Sequence, residues 1–166
     1  FGGRLMINRN WLTITLLLAV TTLASCGFHL RGNLPLSQFP AMYIESDAHS
    51  ELAQLISERL KHNSVELLSG PQNGVPSLHL VQDSLERRTL SLFPNGQVAE
   101  YELIYKVRYT LDMPQSGLKD YQFELYRDYQ DDPNQALAKA RELDLLLTEL
   151  RNQAANRIIR QLGRLN

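Results

Sequence analysis

From Tyr101 to Met113 the chain alternates with a period of two. Tyr101, Leu103, Tyr105, Val107, Tyr109, Leu111 and Met113 fall on one side, and Glu102, Lys106, Arg108, Thr110 and Asp112 on the other. Ile104 is the single exception. Successive side chains of a strand point to opposite faces, so this segment predicts a long strand with one face covered and the other wet or turned to a polar partner. The tyrosines on the apolar side read as sheet core with hydroxyls reaching its margin; the same residues lining an acyl-chain pocket is the alternative.

Two segments with helical spacing supply the cover. Leu52, Leu55, Ile56 and Leu60 form a short stripe, with Ser50 placed as N-cap and Asn63 as a left-handed stop. Ala136, Ala140, Leu143, Leu147, Leu150, Ala154, Ile158 and Leu162 form a longer one, roughly 45 Å at 1.5 Å per residue. Asp132 is placed to cap it, Pro133 suits the first helical position and Gln135 can reach back. Arg151, Arg157, Arg160 and Arg164 lie toward its C-terminal end, the favourable side of the helix dipole.

The remaining strand signals are shorter. Ala41 to Ser46 is an apolar run, and Val65, Leu67 and Leu68 make a brief strand-like stretch before the loop signals Gly70-Pro71 and Asn73-Gly74. Ser77 to Arg88 alternates through Leu78 and Leu80, then changes phase at Val81, which predicts a bulge. Pro94-Asn95-Gly96 marks a turn, Pro114 to Gly117 another, and Tyr121, Phe123 and Leu125 alternate again. The expected fold is α+β over residues 41–166. It is a two-layer sandwich with two helices on one face of a mostly antiparallel, mixed four-stranded sheet, in the order β-α-β-β-β-α.

The N-terminal region has a different logic. Arg4 and Arg9 precede Trp11 to Leu23, an apolar run interrupted only by threonines, and small residues precede Cys26. This is the order of a secretory signal, and the run is too short to cross about 30 Å of hydrocarbon comfortably. Leu23-Ala24-Ser25-Cys26 resembles the bacterial lipobox. The resemblance implies removal of residues 1–25, a diacylglyceryl thioether on the Cys26 sulfur and an acyl chain on its new amino group. An uncleaved anchor, or a signal cut elsewhere, is the competing reading. Residues 26–40, with Gly27, Gly32, Pro35 and Pro40 and no clear period, then read as a lipidated tether. Gly27 stands where an aspartate would resemble the inner-membrane retention signal of some lipoproteins.

Composition narrows the function classes. The formal charge of the chain is −1, and loss of Arg4 and Arg9 makes the remainder more acidic, so no nucleic-acid footprint is expected. Cys26 is the one cysteine, which leaves no disulfide and no thiol chemistry. Four histidines (His29, His49, His62, His79) show no metal-ligand spacing. Ser116-Gly117-Leu118-Lys119 fits S-x-x-K, but lies in a Pro/Gly turn without the accompanying triplets. Asp128, Asp131 and Asp132 lack the EF-hand pattern and are explained by helix capping. No enzyme, cofactor or metal is expected.

Several segments together resemble the LPS-assembly lipoprotein (LptE, or RlpB) family. They are Cys26-Gly27-Phe28-His29-Leu30-Arg31, Leu60 to Leu68 (LKHNSVELL), Val75-Pro76-Ser77-Leu78, Asn95-Gly96-Gln97, Ala99-Glu100-Tyr101 and Ala136-Leu137-Ala138-Lys139, in that family's order. The resemblance implies an outer-membrane lipoprotein held largely inside the lumen of the LptD β-barrel. There it would assist that barrel's assembly, bind lipopolysaccharide directly and take part in its insertion into the outer leaflet. Lys139 matches a basic family position. Pro94 departs from the family, which carries a basic residue before Asn-Gly, so Arg87 and Arg88 are the substitutes for that charge. Phe93, Pro94, Asn95, Gly96 and Gln97 are the expected partner-facing loop. The alternatives are a freestanding periplasmic lipid carrier, which needs a deep apolar cavity, and a lipoprotein enzyme.

Overall fold

The computed structural model of the chain describes Leu36 and residues 38–165. The expected signal, Cys26 and most of the expected tether lie outside the described residues. Five strands and two helices follow in order: β1 (Ala41–Glu45), α1 (Glu51–His62), β2 (Glu66–Leu68), β3 (Ser77–Leu92), β4 (Val98–Met113), β5 (Gly117–Gln130) and α2 (Ala136–Leu162). They form one mixed sheet, β2-β1-β3-β4-β5, in which β1 is parallel to β2 and β3 and the other pairs are antiparallel. Both helices pack into the core on one face, as expected, but the sheet has five strands rather than four. The additional strand is the brief Glu66–Leu68 stretch, which gains strand geometry by pairing with Ala41 to Tyr43.

The alternation of β4 sets the layers. Leu103, Tyr105, Val107, Tyr109 and Leu111 are buried toward the helices, with Tyr101 and Met113 half-buried at the two ends. Tyr105 and Tyr109 fill the interior, which favours the core reading of the tyrosines over the acyl-chain pocket. Burial, reinforced by the carboxylate of Asp83, raises the Tyr105 phenol above its ordinary range. It therefore stays neutral and donates its O–H to Asp83. The expected bulge is present: the β3–β4 register slips between Leu80 and Gln82, so Val81 has no opposite residue.

Local signals at helix ends hold with one shift. Ser50 accepts the Ala53 N–H at 3.1 Å as N-cap of α1. Asn63 ends that helix, but with φ −92°; the left-handed residue is Ser64, at φ 63°. Asp132 accepts the Asn134 N–H at 2.9 Å and the Gln135 amide at 2.8 Å. These bonds, the backbone one foremost, hold its carboxyl below the ordinary carboxylate value. They close a single 3-10 turn, Pro133–Gln135, that leads into α2.

The domain begins earlier than composition implies. Leu36 and Phe39, read from sequence as tether, are buried in the main core. The Gln38 amide also donates to the Leu162 and Leu165 carbonyls at the end of α2.

Beyond this body the fold thins into an arm. β3 pairs with β1 only at Ser77–His79, so from Gln82 onward only β3, β4 and β5 continue. The helix layer thins as well. The first residue of α1, Glu51, pairs with Arg151 of α2 at 2.6 Å, and Arg59 reaches Asn152 and Asn156. Residues 136–150 of α2 therefore run past the start of α1 over a three-stranded ribbon. Ala136 and Ala140, assigned from sequence to the buried stripe, are exposed there. The eleven residues of β3 from Gln82 to Leu92 give this arm a length of about 33 Å.

Candidate functional site on the arm

Directly opposed residues of antiparallel strands share a face. Arg87 faces Leu103 and so lies on the helix side, whereas Arg88 faces Glu102 on the open side and is ion-paired with it. The two arginines, grouped from sequence as one basic contribution, thus point to opposite faces. Only Arg87 shares a face with the other groups on the helix side of the arm.

There the Arg87 guanidinium lies 6.0 Å from the Tyr101 ring centre. Tyr101 faces Tyr129 across β4 and β5, and their rings stack with centres 6.5 Å apart. Lys139 Nζ lies 5.4 Å from the Tyr129 ring centre. Cation, ring, ring and cation follow one another, and both cation contacts lie within or at the edge of the range in which a ring quadrupole attracts a cation. The Tyr129 hydroxyl donates to the Lys139 carbonyl at 3.0 Å and ties the first turn of α2 to the end of β5.

The two cations differ in their counter-charges. Lys139 Nζ is 2.9 Å from Glu142 Oε2, one turn further along α2, and that carboxylate is the main reason the ammonium pKa is raised. The Lys139 side chain is 19% exposed, Glu142 48%. Arg87 makes no ion pair among the described residues.

The arm ends in an apolar tip. Phe93 and Gln97 close the turn through a 2.8 Å backbone bond, Gly96 adopts φ 84°, and the Asn95 carboxamide oxygen accepts the Gln97 N–H at 3.1 Å. Residues 93–97 are all exposed and include no basic side chain, Pro94 included. Leu90, Leu92 and Phe93 at this turn are exposed large hydrophobics, as is Leu137 in the first turn of α2. Register slips at Thr89/Ser91 and Ser91/Leu92 increase the twist of the ribbon here.

Tyr129 and Glu142 are the members of this constellation that sequence reading passes over. Tyr129 continues the alternation of Tyr121, Phe123 and Leu125, but the charged Arg127 interrupts it. The spacing of three between Lys139 and Glu142 is the signal for their pairing.

The surface depressions of the body are open. The one of about 540 Å³ beside Phe39, Pro76, Met113 and Lys119 is a half-open groove of mixed polarity. Among the described residues no His, Cys, Asp and Glu cluster is arranged to hold a metal ion, and no helix is long and apolar enough to cross a membrane.

These features define a class: a small two-layer α+β domain whose surface chemistry is concentrated on a projecting arm of cations, tyrosines and exposed apolar residues. The sequence profile of the LptE lipopolysaccharide-assembly family matches residues 39–162, and the chain belongs to that family. Among its relatives, the LPS-assembly lipoprotein LptE of Photorhabdus laumondii is 36% identical over 156 residues, covering 91% of this chain and 84% of that protein. The protein of the same name from Pectobacterium atrosepticum is 32% identical over 157 residues, covering 93% and 85%. In structure the chain is similar to rare lipoprotein B of Shewanella oneidensis, with TM-score 0.68 and 47% identity over 74% of this chain and 93% of that one. Lipoprotein B of Nitrosomonas europaea follows with TM-score 0.66 and 26% identity, over 82% and 90%.

Proposed function

We propose that this chain is an outer-membrane lipoprotein, anchored through lipid on Cys26 after removal of residues 1–25. It associates with the LptD β-barrel within its lumen and assists that barrel's assembly. It binds lipopolysaccharide directly and takes part in its insertion into the outer leaflet. Family membership supports the lipopolysaccharide-assembly role.

The observation that carries the binding reading is the ladder of Arg87, Tyr101, Tyr129 and Lys139 on one face of the arm. Phosphate groups call for Arg or Lys donors, and acyl chains call for apolar surface nearby. The arm offers both, with Leu90, Leu92 and Phe93 beyond the cations. The uncovered face of the sheet, with Lys106, Arg108, Thr110, Gln122 and Glu124, suits hydrogen bonding to a polar barrel interior. A freestanding carrier is the weaker reading, because Tyr105 and Tyr109 occupy the core and the groove beside Phe39 is half-open.

Charge reversal at the ladder tests this. Lys139→Asp is expected to weaken lipopolysaccharide binding about tenfold, the worth of one charge-assisted hydrogen bond. Lys119→Asp, at the start of β5 and so at the opposite end of the strand from Tyr129, should change it little. The difference should shrink in high salt, because exposed charges are screened over about 10 Å at 0.1 M. Equal losses for the two variants would mean diffuse attraction with no site.

A further inference from the structure

The ladder described above is not open at both ends. Arg87 has no acidic partner among the described residues, whereas Lys139 is held by Glu142 at 2.9 Å. Asp131 adds a second negative charge near the same ammonium. An anionic ligand group can meet the Arg87 guanidinium without displacing an ion pair, but at Lys139 it must take the place of the Glu142 carboxylate.

We propose that Glu142 is an internal competitor for the anionic ligand of the arm. It occupies Lys139 in the unliganded protein and is displaced when a second phosphate of the ligand arrives. This rests on the reading of the ladder as the lipopolysaccharide site. It also specifies the ligand class. Engagement of both cations requires two anionic groups on one amphiphile, spaced by no more than the 6.0, 6.5 and 5.4 Å steps of the ladder taken end to end. A ligand with one anionic group meets Arg87 at no cost and leaves the Lys139–Glu142 pair in place, whereas a second anionic group must exchange one exposed ion pair for another. Glu142 therefore lowers affinity for doubly phosphorylated ligands and leaves the contact of a single anionic group at Arg87 unaffected.

Several features make Glu142 suited to this exchange. Its side chain is about half exposed, so it can swing into water without leaving a buried charge. It lies on a part of α2 that has no α1 beside it, so no packing opposes the movement. The Lys139 ammonium lies 5.4 Å from the Tyr129 ring centre, a contact that remains when its carboxylate partner leaves.

The test measures binding of the full-length lipidated protein to lipid A, with both phosphates or dephosphorylated, in the same detergent micelles. Glu142→Gln should tighten binding of the phosphorylated form about two- to fivefold, the range of one exposed ion pair. It should leave the dephosphorylated form unchanged. Glu149→Gln removes the same charge from the same helix, where Glu149 pairs with Arg127 at 2.7 Å, and should have little effect. Equal tightening by both variants would overturn the proposal, since net charge would then explain the change. So would no tightening by Glu142→Gln while Lys139→Asp still weakens binding; that result leaves the ladder site standing. If Lys139→Asp itself has no effect, the reading of the ladder falls, and the competitor with it.

Discussion

Substitution of Leu150 by alanine is expected to destabilise the domain by about 2–5 kcal/mol, read as a lower urea midpoint with unchanged slope. Leu150 is fully buried in the main core where α2 begins to run beside α1. Truncation there removes apolar burial and leaves a cavity that rigid neighbours on both layers cannot close. Leu103→Ala belongs to the same range but acts in a different place. Leu103 is also fully buried, yet lies outside the main cluster, at the base of the arm beneath residues 136–150. Its loss should loosen the arm and disturb the Tyr101–Tyr129 stack as well as lower global stability. Leu145→Ala is the internal control: that side chain is 71% exposed and should cost no more than about 0.5 kcal/mol. A cost for Leu145→Ala equal to that for Leu150→Ala would mean that α2 is rotated about its axis relative to this description.

The second large effect is all-or-none. Cys26→Ala removes the one cysteine of the chain, so no other thiol can accept the diacylglyceryl group. Each buried methylene of a lipid chain contributes about 0.8 kcal/mol, and a single chain anchors only marginally. Three chains on Cys26 would make attachment effectively permanent, and their loss should move the protein from the membrane to the soluble fraction. Mass spectrometry of the wild-type N-terminus should find a lipidated Cys26 as first residue, with residues 1–25 gone. An unmodified cysteine, or an N-terminus elsewhere, would contradict this origin of the anchor.

Much of the fold was legible because burial enforces period. The Tyr101–Met113 alternation gave the central strand and its covered face, and the phase change at Val81 gave the bulge. What escaped depended on neighbours that period does not encode. The strand Glu66–Leu68 is three residues long and exists through pairing with β1. Ala136 and Ala140 lie on the correct stripe of α2, but the layers thin there and nothing covers them. Leu36 and Phe39 sit among glycines and prolines that resemble a tether, although their side chains are core.

The candidate site divides in the same way. The family resemblance points to Lys139, and Arg87 enters as a substitute for the charge that Pro94 lacks; the structure aligns both along one tyrosine pair. Arg88 was grouped with Arg87, yet adjacent strand residues point to opposite faces, and the Glu102 opposite it supplies its partner. The turn at residues 93–97 was recognised from Asn95-Gly96. Its apolar character depends on Leu90 and Leu92, whose place in the ribbon is set by two register slips.

The central claim is association with the LptD barrel, and isolation from outer membranes tests it most directly. A photo-crosslinking residue in place of Asn95, at the arm's turn, should be introduced into the full-length lipidated protein, with a second at Lys61, at the end of α1, for comparison. LptD is expected to co-purify with the protein, and the Asn95 position should crosslink to it. Recovery of the lipidated protein from outer membranes without LptD, and without a crosslink from either position, would contradict the account.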